Sequence, residues 1–357
     1  MKRYVKEIIG AASALLILCI FIGIFSPIVT PKRFTHGSMW DAFLQERKDS
    51  VDVMFFGSSL VYCDIIPAVI YREAGCAPYV MAGPEQIIPM TYYYVKEMYE
   101  TQSPEIVFVE VTGMFFPEYT NYTKVNAGNM PASPNKLDAI FNASEKSERL
   151  GLLFPLYNYH DRWTDLHAHD FKWAVPDPLA GYTFLDEALD SASPAERPVD
   201  FDSSVYANNL KYLKRIADVC EKEGSRLIFF IAPSYWRLNG RYLQMLSSDI
   251  SSIKNVQFID FNQTYAGLGI DPESDYYDLL HFNYRGAEKF SATLAGIIDG
   301  YFFNYDDVDT ELWNSRLEHY ESLHSPTDES LPPAEDPVPT DSEAQTDPDT
   351  PQPDLPV

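Results

Sequence analysis

The sequence predicts an α/β protein: a three-layer, flavodoxin-like parallel sheet with an N-terminal transmembrane helix and a large insertion. Three observations carry that expectation. Five short apolar runs alternate with stretches of helical spacing, the pattern of strands covered on both faces. One run near the N-terminus, residues 8–25, holds no charge. And about 115 residues separate the third apolar run from the fourth, far more than one crossover helix requires.

The strands read as VDVMFF (51–56), YVMA (78–81), IVFVEV (106–111), RLIFFI (226–231) and VQFIDF (256–261). Their length and β-branched content favour buried strands over helices. PMTYYYVKEMYE (89–100) reads as a helix whose Tyr92, Tyr93 and Tyr94 pack against the sheet. Residues 203–223 place Tyr206, Leu210, Leu213, Ala217 and Cys220 at helical spacing, with Asp202 or Ser203 to cap the start and Gly224 after the end. A last helix is expected over about 285–302.

The uncharged run is long enough, extended to Thr30, to cross a bilayer of roughly 30 Å. Its exit, FSPIVTPK, fits poorly to the small residues of a signal-peptide cleavage site. An uncleaved anchor is the preferred reading and a cleaved signal the alternative. Lys2, Arg3 and Lys6 before it against Lys32 and Arg33 after it favour a cytoplasmic N-terminus. The expected organisation is a cytoplasmic tail (1–6), an anchor (7–30), a linker (31–49) and an extracytoplasmic domain (50–304) with its insertion over about 114–200. A C-terminal extension (305–324) and a disordered acidic, proline-rich tail (325–357) follow.

The net charge is −25, and the last 33 residues hold nine of the acids, nine prolines and no Lys or Arg. An acidic surface argues against nucleic acid as a partner, because phosphate binding needs clustered cations. Of the four cysteines, Cys19 lies in the apolar run and Cys63, Cys76 and Cys220 follow with no CxxC spacing. That excludes a disulfide scaffold and a CxxC-type zinc site. No cofactor is implied.

In open parallel sheets the site lies at the carboxyl ends of the strands. There FFGSSLVY puts Ser58 and Ser59 just after the first strand. Taken alone, this reads first as a capping serine in a strand-to-helix turn. It is not a G-x-S-x-G elbow, since position 61 is Val61. DYYDLLHFNYRGAEKF supplies Asp278 and His281, three apart, entering the final helix. That spacing lets the carboxylate reach Nδ1 and leave Nε2 outward as a base. Chain order and sheet end together bring a hydroxyl to face a histidine.

With these residues in place the sequence resembles the SGNH (GDSL-type) hydrolase superfamily over about residues 50–304. Gly57-Ser58-Ser59 stands where that family has Gly-Asp-Ser, Asp278-Leu279-Leu280-His281 where it has Asp-x-x-His, and Gly83 at its second-block glycine. The anchor, the Gly-Ser-Ser variant and the HFNYRGAEKF ending are most similar to the membrane-anchored branch with the teichoic acid D-alanyl transfer protein. Alginate and peptidoglycan O-acetyl transfer proteins are also similar. The resemblance implies Ser59 as nucleophile, His281 as general base, Asp278 as orienting acid, and the Ser59 and Gly83 amides as oxyanion donors. It implies an acylated polymer or glycan of the cell envelope as substrate and a multi-span membrane O-acyltransferase as partner.

One departure stands out. The family's third block carries an oxyanion-binding Asn in Gly-x-Asn-Asp, whereas the third strand here ends VEVTGMFF. Either Thr112 or a backbone amide substitutes, or the acyl donor is not a simple ester. A secreted lipase or carboxylesterase is the enzyme alternative, and a non-catalytic envelope scaffold or glycan-binding module the other. Further substrate-binding candidates are Glu110 and Ser234 at strand ends, and His160, Arg162 and Trp163 in YNYHDRWTDLHAHD (157–170). That stretch also concentrates His167, His169, Asp161, Asp165 and Asp170, which suit a metal in type but not in any HExxH spacing. No metal is expected.

Overall fold

The computed structural model describes residues 2–31, 37–172, 174–189, 195–301 and 307–324. The expected disordered tail, 325–357, lies outside them. Five parallel strands form one sheet: β1 (Val53–Gly57), β2 (Pro78–Ala82), β3 (Ile106–Glu110), β4 (Arg226–Ile231) and β5 (Val256–Asp260), in the order β2-β1-β3-β4-β5. The register aligns Gly57 with Ala82, Phe56 with Val109, Glu110 with Phe230 and Ile231 with Asp260. All five carboxyl ends therefore reach one edge, and the order changes direction at β1, where β2 and β3 flank it.

The principal helices are α1 (Lys2–Val29), α2 (Ser59–Tyr62), α3 (Pro67–Ala74), α4 (Ile88–Met98), α5 (Ser203–Glu223), α6 (Gly240–Ser251), α7 (Tyr284–Asp299) and α8 (Thr310–Ser322). Side chains alternate across the strands and divide the core into two layers. Met54, Phe56, Val107, Val109 and Phe229 face α4 and α5. Val53, Phe55, Ile106, Phe108 and Phe230 face α3 and α7. Both faces are apolar because both are covered, as crossover helices require. Tyr92, Tyr93 and Tyr94 are all buried in the first layer. Asp202 caps α5 by accepting from the N–H groups of Ser204 and Val205, and Gly224 closes it in the left-handed conformation at φ +85°.

Two flanking segments belong to this body. Within 31–49, read from sequence as linker, Trp40 and Phe43 are wholly buried against Tyr94 and Tyr79. From the C-terminal extension, α8 buries Trp313 and Tyr320, and Arg316 pairs with Glu46. Both segments carry aromatics spaced too irregularly for a periodicity argument to find. Cys63, Cys76 and Cys220 are buried free thiols, and Cys19 is an exposed one on α1.

Helix α1 is long and apolar enough to cross a membrane over Tyr4–Val29. The insertion consists of short helices, among them Thr123–Asn129 and Pro155–Asn158, and of a one-turn 3-10 segment, His160–Thr164. Near its end, Ala195–Glu196 pairs in parallel with Trp236–Arg237 as a two-stranded ladder separate from the main sheet.

Candidate active site

The turn after β1 depends on glycine. Gly57 sits at φ +153°, and a Cβ there would come within 2.7 Å of both Glu110 Cβ and Val61 Cγ2. The chain bends without a side chain in the way and starts α2 at Ser59. Ser58 takes the N-cap position, but its side chain makes no capping bond. Ser59 is the first helical residue, so its N–H has no intrahelical acceptor and stays available.

The facing loop is built around Asp278. Its Oδ1 accepts the N–H groups of Leu280 at 2.7 Å and His281 at 2.8 Å, closing a tight turn. Tyr277 N–H donates to the His281 carbonyl at 3.0 Å, and Tyr276 bridges Phe282. Asn283 then caps α7 through the N–H groups of Arg285 and Gly286. Gly286 allows the close approach of helix and loop, since a Cβ there would lie 2.3 Å from the Asp275 carbonyl oxygen. Asp275 is buried and paired with Lys289 Nζ at 2.6 Å.

These turns bring three side chains into line. Ser59 Oγ lies 2.7 Å from His281 Nε2, and His281 Nδ1 lies 2.8 Å from Asp278 Oδ2. Partial burial pushes the Asp278 carboxyl up. The hydrogen bond and charge of His281, with the His281 and Leu280 backbone N–H groups, outweigh it and hold the pKa below the usual carboxylate value. Asp278 is therefore anionic at neutral pH and holds the proton on Nδ1, leaving Nε2 as acceptor for the serine hydroxyl.

Two neighbours brace the loop. Asp64 Oδ1 accepts the Phe282 N–H at 2.9 Å, and Trp236 N–H donates to the Leu279 carbonyl at 3.0 Å. Asp64 is completely buried, and that burial, with the nearby Asp278 and Glu110 charges, pushes its carboxyl well above the ordinary value.

The expected oxyanion donors are only partly free. Thr112 gives both its hydroxyl and its N–H to Glu110 Oε1, the latter at 2.8 Å. A threonine beside a buried carboxyl is consumed by it, which argues against an oxyanion role. Gly83 N–H points to the Gly57 carbonyl at 3.3 Å, a long bond. Directly over Gly83 sits the carboxamide of Asn126, from the insertion: a Cβ on Gly83 would lie 2.2 Å from its Oδ1. Asn126 Nδ2 donates to the Pro84 carbonyl at 2.9 Å, using one of its two hydrogens.

The other expected contacts separate into two groups. Glu110 is 1% exposed beneath the Gly57 turn, so it supports that turn and presents no surface to a ligand. Burial raises its carboxyl to about 7, against the lowering bonds from Thr112. Ser234 gives its hydroxyl to the Trp236 carbonyl at 2.8 Å and so steadies the segment that holds Leu279. His160, Arg162 and Trp163 are at another place, the C-terminal end of α1. Arg162 is committed there to the Val29 carbonyl and to Asp170, and His160 Nδ1 lies 2.9 Å from the Tyr157 carbonyl. His167 and His169 stack on one another at 5.5 Å. Among the described residues no group of three His, Cys, Asp or Glu is arranged to hold a metal.

Sequence reasoning missed Asp64, Asn126 and Trp236. Asp64 left a signal, an acid inside the otherwise apolar LVYCDIIPAVI. Asn126 left none, because only folding of the insertion brings it to Gly83.

No protein-family profile and no curated protein matches the chain. Among solved structures, the chain is similar to a proposed acylhydrolase from Bacteroides fragilis, at 9% identity and a TM-score of 0.36, over 73% of this chain and 98% of that one.

Proposed function

We propose that this protein is a serine acyl hydrolase or O-acyltransferase of the cell envelope, held at the membrane by α1, with its sheet domain outside the cytoplasm. The observation that carries the reading is the continuous hydrogen-bonded line from Ser59 Oγ through His281 to Asp278 Oδ2, at 2.7 and 2.8 Å. A hydroxyl so placed at the carboxyl edge of a parallel sheet, where such folds hold ligands, has the geometry of an activated nucleophile.

The steps follow from that geometry. Ser59 Oγ bonds to the carbonyl carbon of an acyl ester while its proton passes to His281 Nε2. Negative charge collects on the former carbonyl oxygen, where the Ser59 N–H donates. The second Nδ2 hydrogen of Asn126 is the candidate partner donor in place of the family's third-block Asn. The carbon–oxygen bond to the leaving alcohol breaks, and the alcohol takes the proton from Nε2. An acyl-serine remains. An incoming hydroxyl, from water in hydrolysis or from a glycan or polyol in transfer, then gives its proton to Nε2 and bonds to the acyl carbon. Ser59 leaves and recovers its proton. General-base assistance of this kind contributes roughly 10²–10⁴ in rate.

The substrate class proposed is an O-acylated envelope polymer, such as a glycan or teichoic acid, with a multi-span membrane acyltransferase as donor partner. The support is the resemblance of the Gly57-Ser58-Ser59 and Asp278-x-x-His281 blocks together with the apolar α1. A fluorophosphonate probe tests the chemistry. Labelling of the wild type that disappears in both Ser59→Ala and His281→Ala supports it. An unlabelled wild type favours a non-catalytic scaffold.

A further inference from the structure

The insertion segment 154–172 packs on the last turns of α1. Val29, the final residue of that helix, is buried there, and Arg162 Nη1 donates to its carbonyl oxygen at 2.8 Å. Arg162 is itself held by Asp170, whose side chain is fully buried, at 2.9 Å. The segment is therefore fixed to the end of α1 by a braced, nearly buried ion pair rather than by a loose linker.

The same segment exposes aromatic side chains that a water-facing loop has no reason to carry. Phe154 is 47% exposed, Tyr157 64%, Trp163 71% and Phe171 65%. The length of α1 sets their level. Tyr4–Val29 is 26 residues, which at 1.5 Å per residue is about 39 Å, longer than the roughly 30 Å hydrocarbon core but close to the thickness with headgroups. Val29 then lies in the headgroup zone, and Arg162, bonded to it, lies there too. Trp and Tyr gather at that depth in membrane proteins because their rings are apolar at one end and polar at the other.

We infer that the 154–172 segment is a second membrane contact: its exposed aromatics rest in the headgroup layer of the leaflet at the C-terminal end of α1. This rests on the reading of α1 as a bilayer span. The contact would be driven by ring burial rather than charge, because the exposed carboxylates Asp161 and Asp165 would oppose anionic headgroups. It would hold the domain at a fixed height above the bilayer, where an acyl group emerging from a membrane protein can be met.

The test uses the full chain in phosphatidylcholine nanodiscs, with Cys19→Ala and single nitroxide labels. Trp163→Cys and Phe171→Cys report the segment, Leu16→Cys the span, and Lys222→Cys, 78% exposed on α5, the aqueous reference. The inference predicts that oxygen collisions exceed those of a water-soluble nickel reagent several-fold more at 163 and 171 than at 222, with no change at raised salt. Leu16 in lipid while 163 and 171 match 222 overturns the inference and leaves the span standing. Labels at 163 and 171 shielded from both reagents would mean a protein occupies the face, which also overturns it. Leu16 in water overturns the span reading and this contact with it.

Discussion

The loop at 275–286 and the segment at 154–172 solve the problem of holding polar side chains in place in opposite ways. In the first, nearly every backbone group is used: Asp278 takes two N–H groups, Asp64 takes the next, and Trp236 secures the carbonyl between them. In the second, the Arg162–Asp170 pair ties the segment to the end of α1, and Phe154, Tyr157, Trp163 and Phe171 around it are exposed. Redundant anchoring suits a site where a ring nitrogen must sit within hydrogen-bond reach of a hydroxyl, since small displacements there cost large factors in rate. A single braced tie suits a surface that is held at one level while its exposed rings meet whatever lies against them. If this contrast is right, damage to the first region should appear in turnover and damage to the second only in membrane contact.

The largest effect is expected at Ser59 and His281, the proposed nucleophile and base. Ser59→Ala and His281→Ala should each lower ester hydrolysis by on the order of 10⁴ or more, and the double variant should be no worse than either alone, because the two act as a unit. Steady-state rates on an activated aryl ester check this. Asp278→Asn should cost less, on the order of 10²–10⁴, by freeing the His281 ring to adopt the other tautomer. Asn126→Ala should lower turnover on the order of 10² with little change in KM, if its amide faces the developing oxyanion. A change confined to thermal stability would reduce Asn126 to a support for Gly83.

Asp64 gives an effect in stability with a definite pH direction. Its folded pKa is raised by burial, so between the unfolded value of about 3.9 and the folded one the native state binds the extra proton. Stability contributed by that proton is lost as pH rises. Asn at this position retains an oxygen for the Phe282 N–H and does not titrate. The melting temperature of Asp64→Asn relative to wild type should therefore climb from pH 4.5 to pH 8, as thermal scans at the two values will show. A difference independent of pH would mean that Asp64 is not held neutral. The smallest effect is expected in the other region: Phe171→Ala should leave hydrolysis of a soluble ester by the detergent-solubilised protein unchanged.

How much was legible follows the same division. All five strands were readable because burial on both faces leaves short unbroken apolar runs such as IVFVEV, and α5 was readable from its spacing and caps. The juxtaposition of Ser59, Asp278 and His281 was legible because the geometry linking them is local twice over. One glycine turn sets the serine, one three-residue step sets the acid and base, and the parallel topology joins them. Thr112 was misleading because sequence cannot show that Glu110, two residues earlier, captures its hydroxyl. His160, Arg162 and Trp163 suggested substrate contacts by type, but their position depends on how the insertion meets α1, a long-range packing that no local pattern encodes. Trp40 and Phe43 were read as linker for the same reason: their burial depends on Tyr94 and Tyr79 far along the chain.

The central claim is that Ser59 carries the acyl group. Mass spectrometry of peptides from protein quenched in acid during turnover of an acyl ester tests it most directly. The account predicts an acyl mass on the peptide containing Ser59, present in the wild type, accumulating less in His281→Ala and absent in Ser59→Ala. Turnover of the ester with no adduct on Ser59, or with the same adduct persisting in Ser59→Ala on another residue, would contradict it.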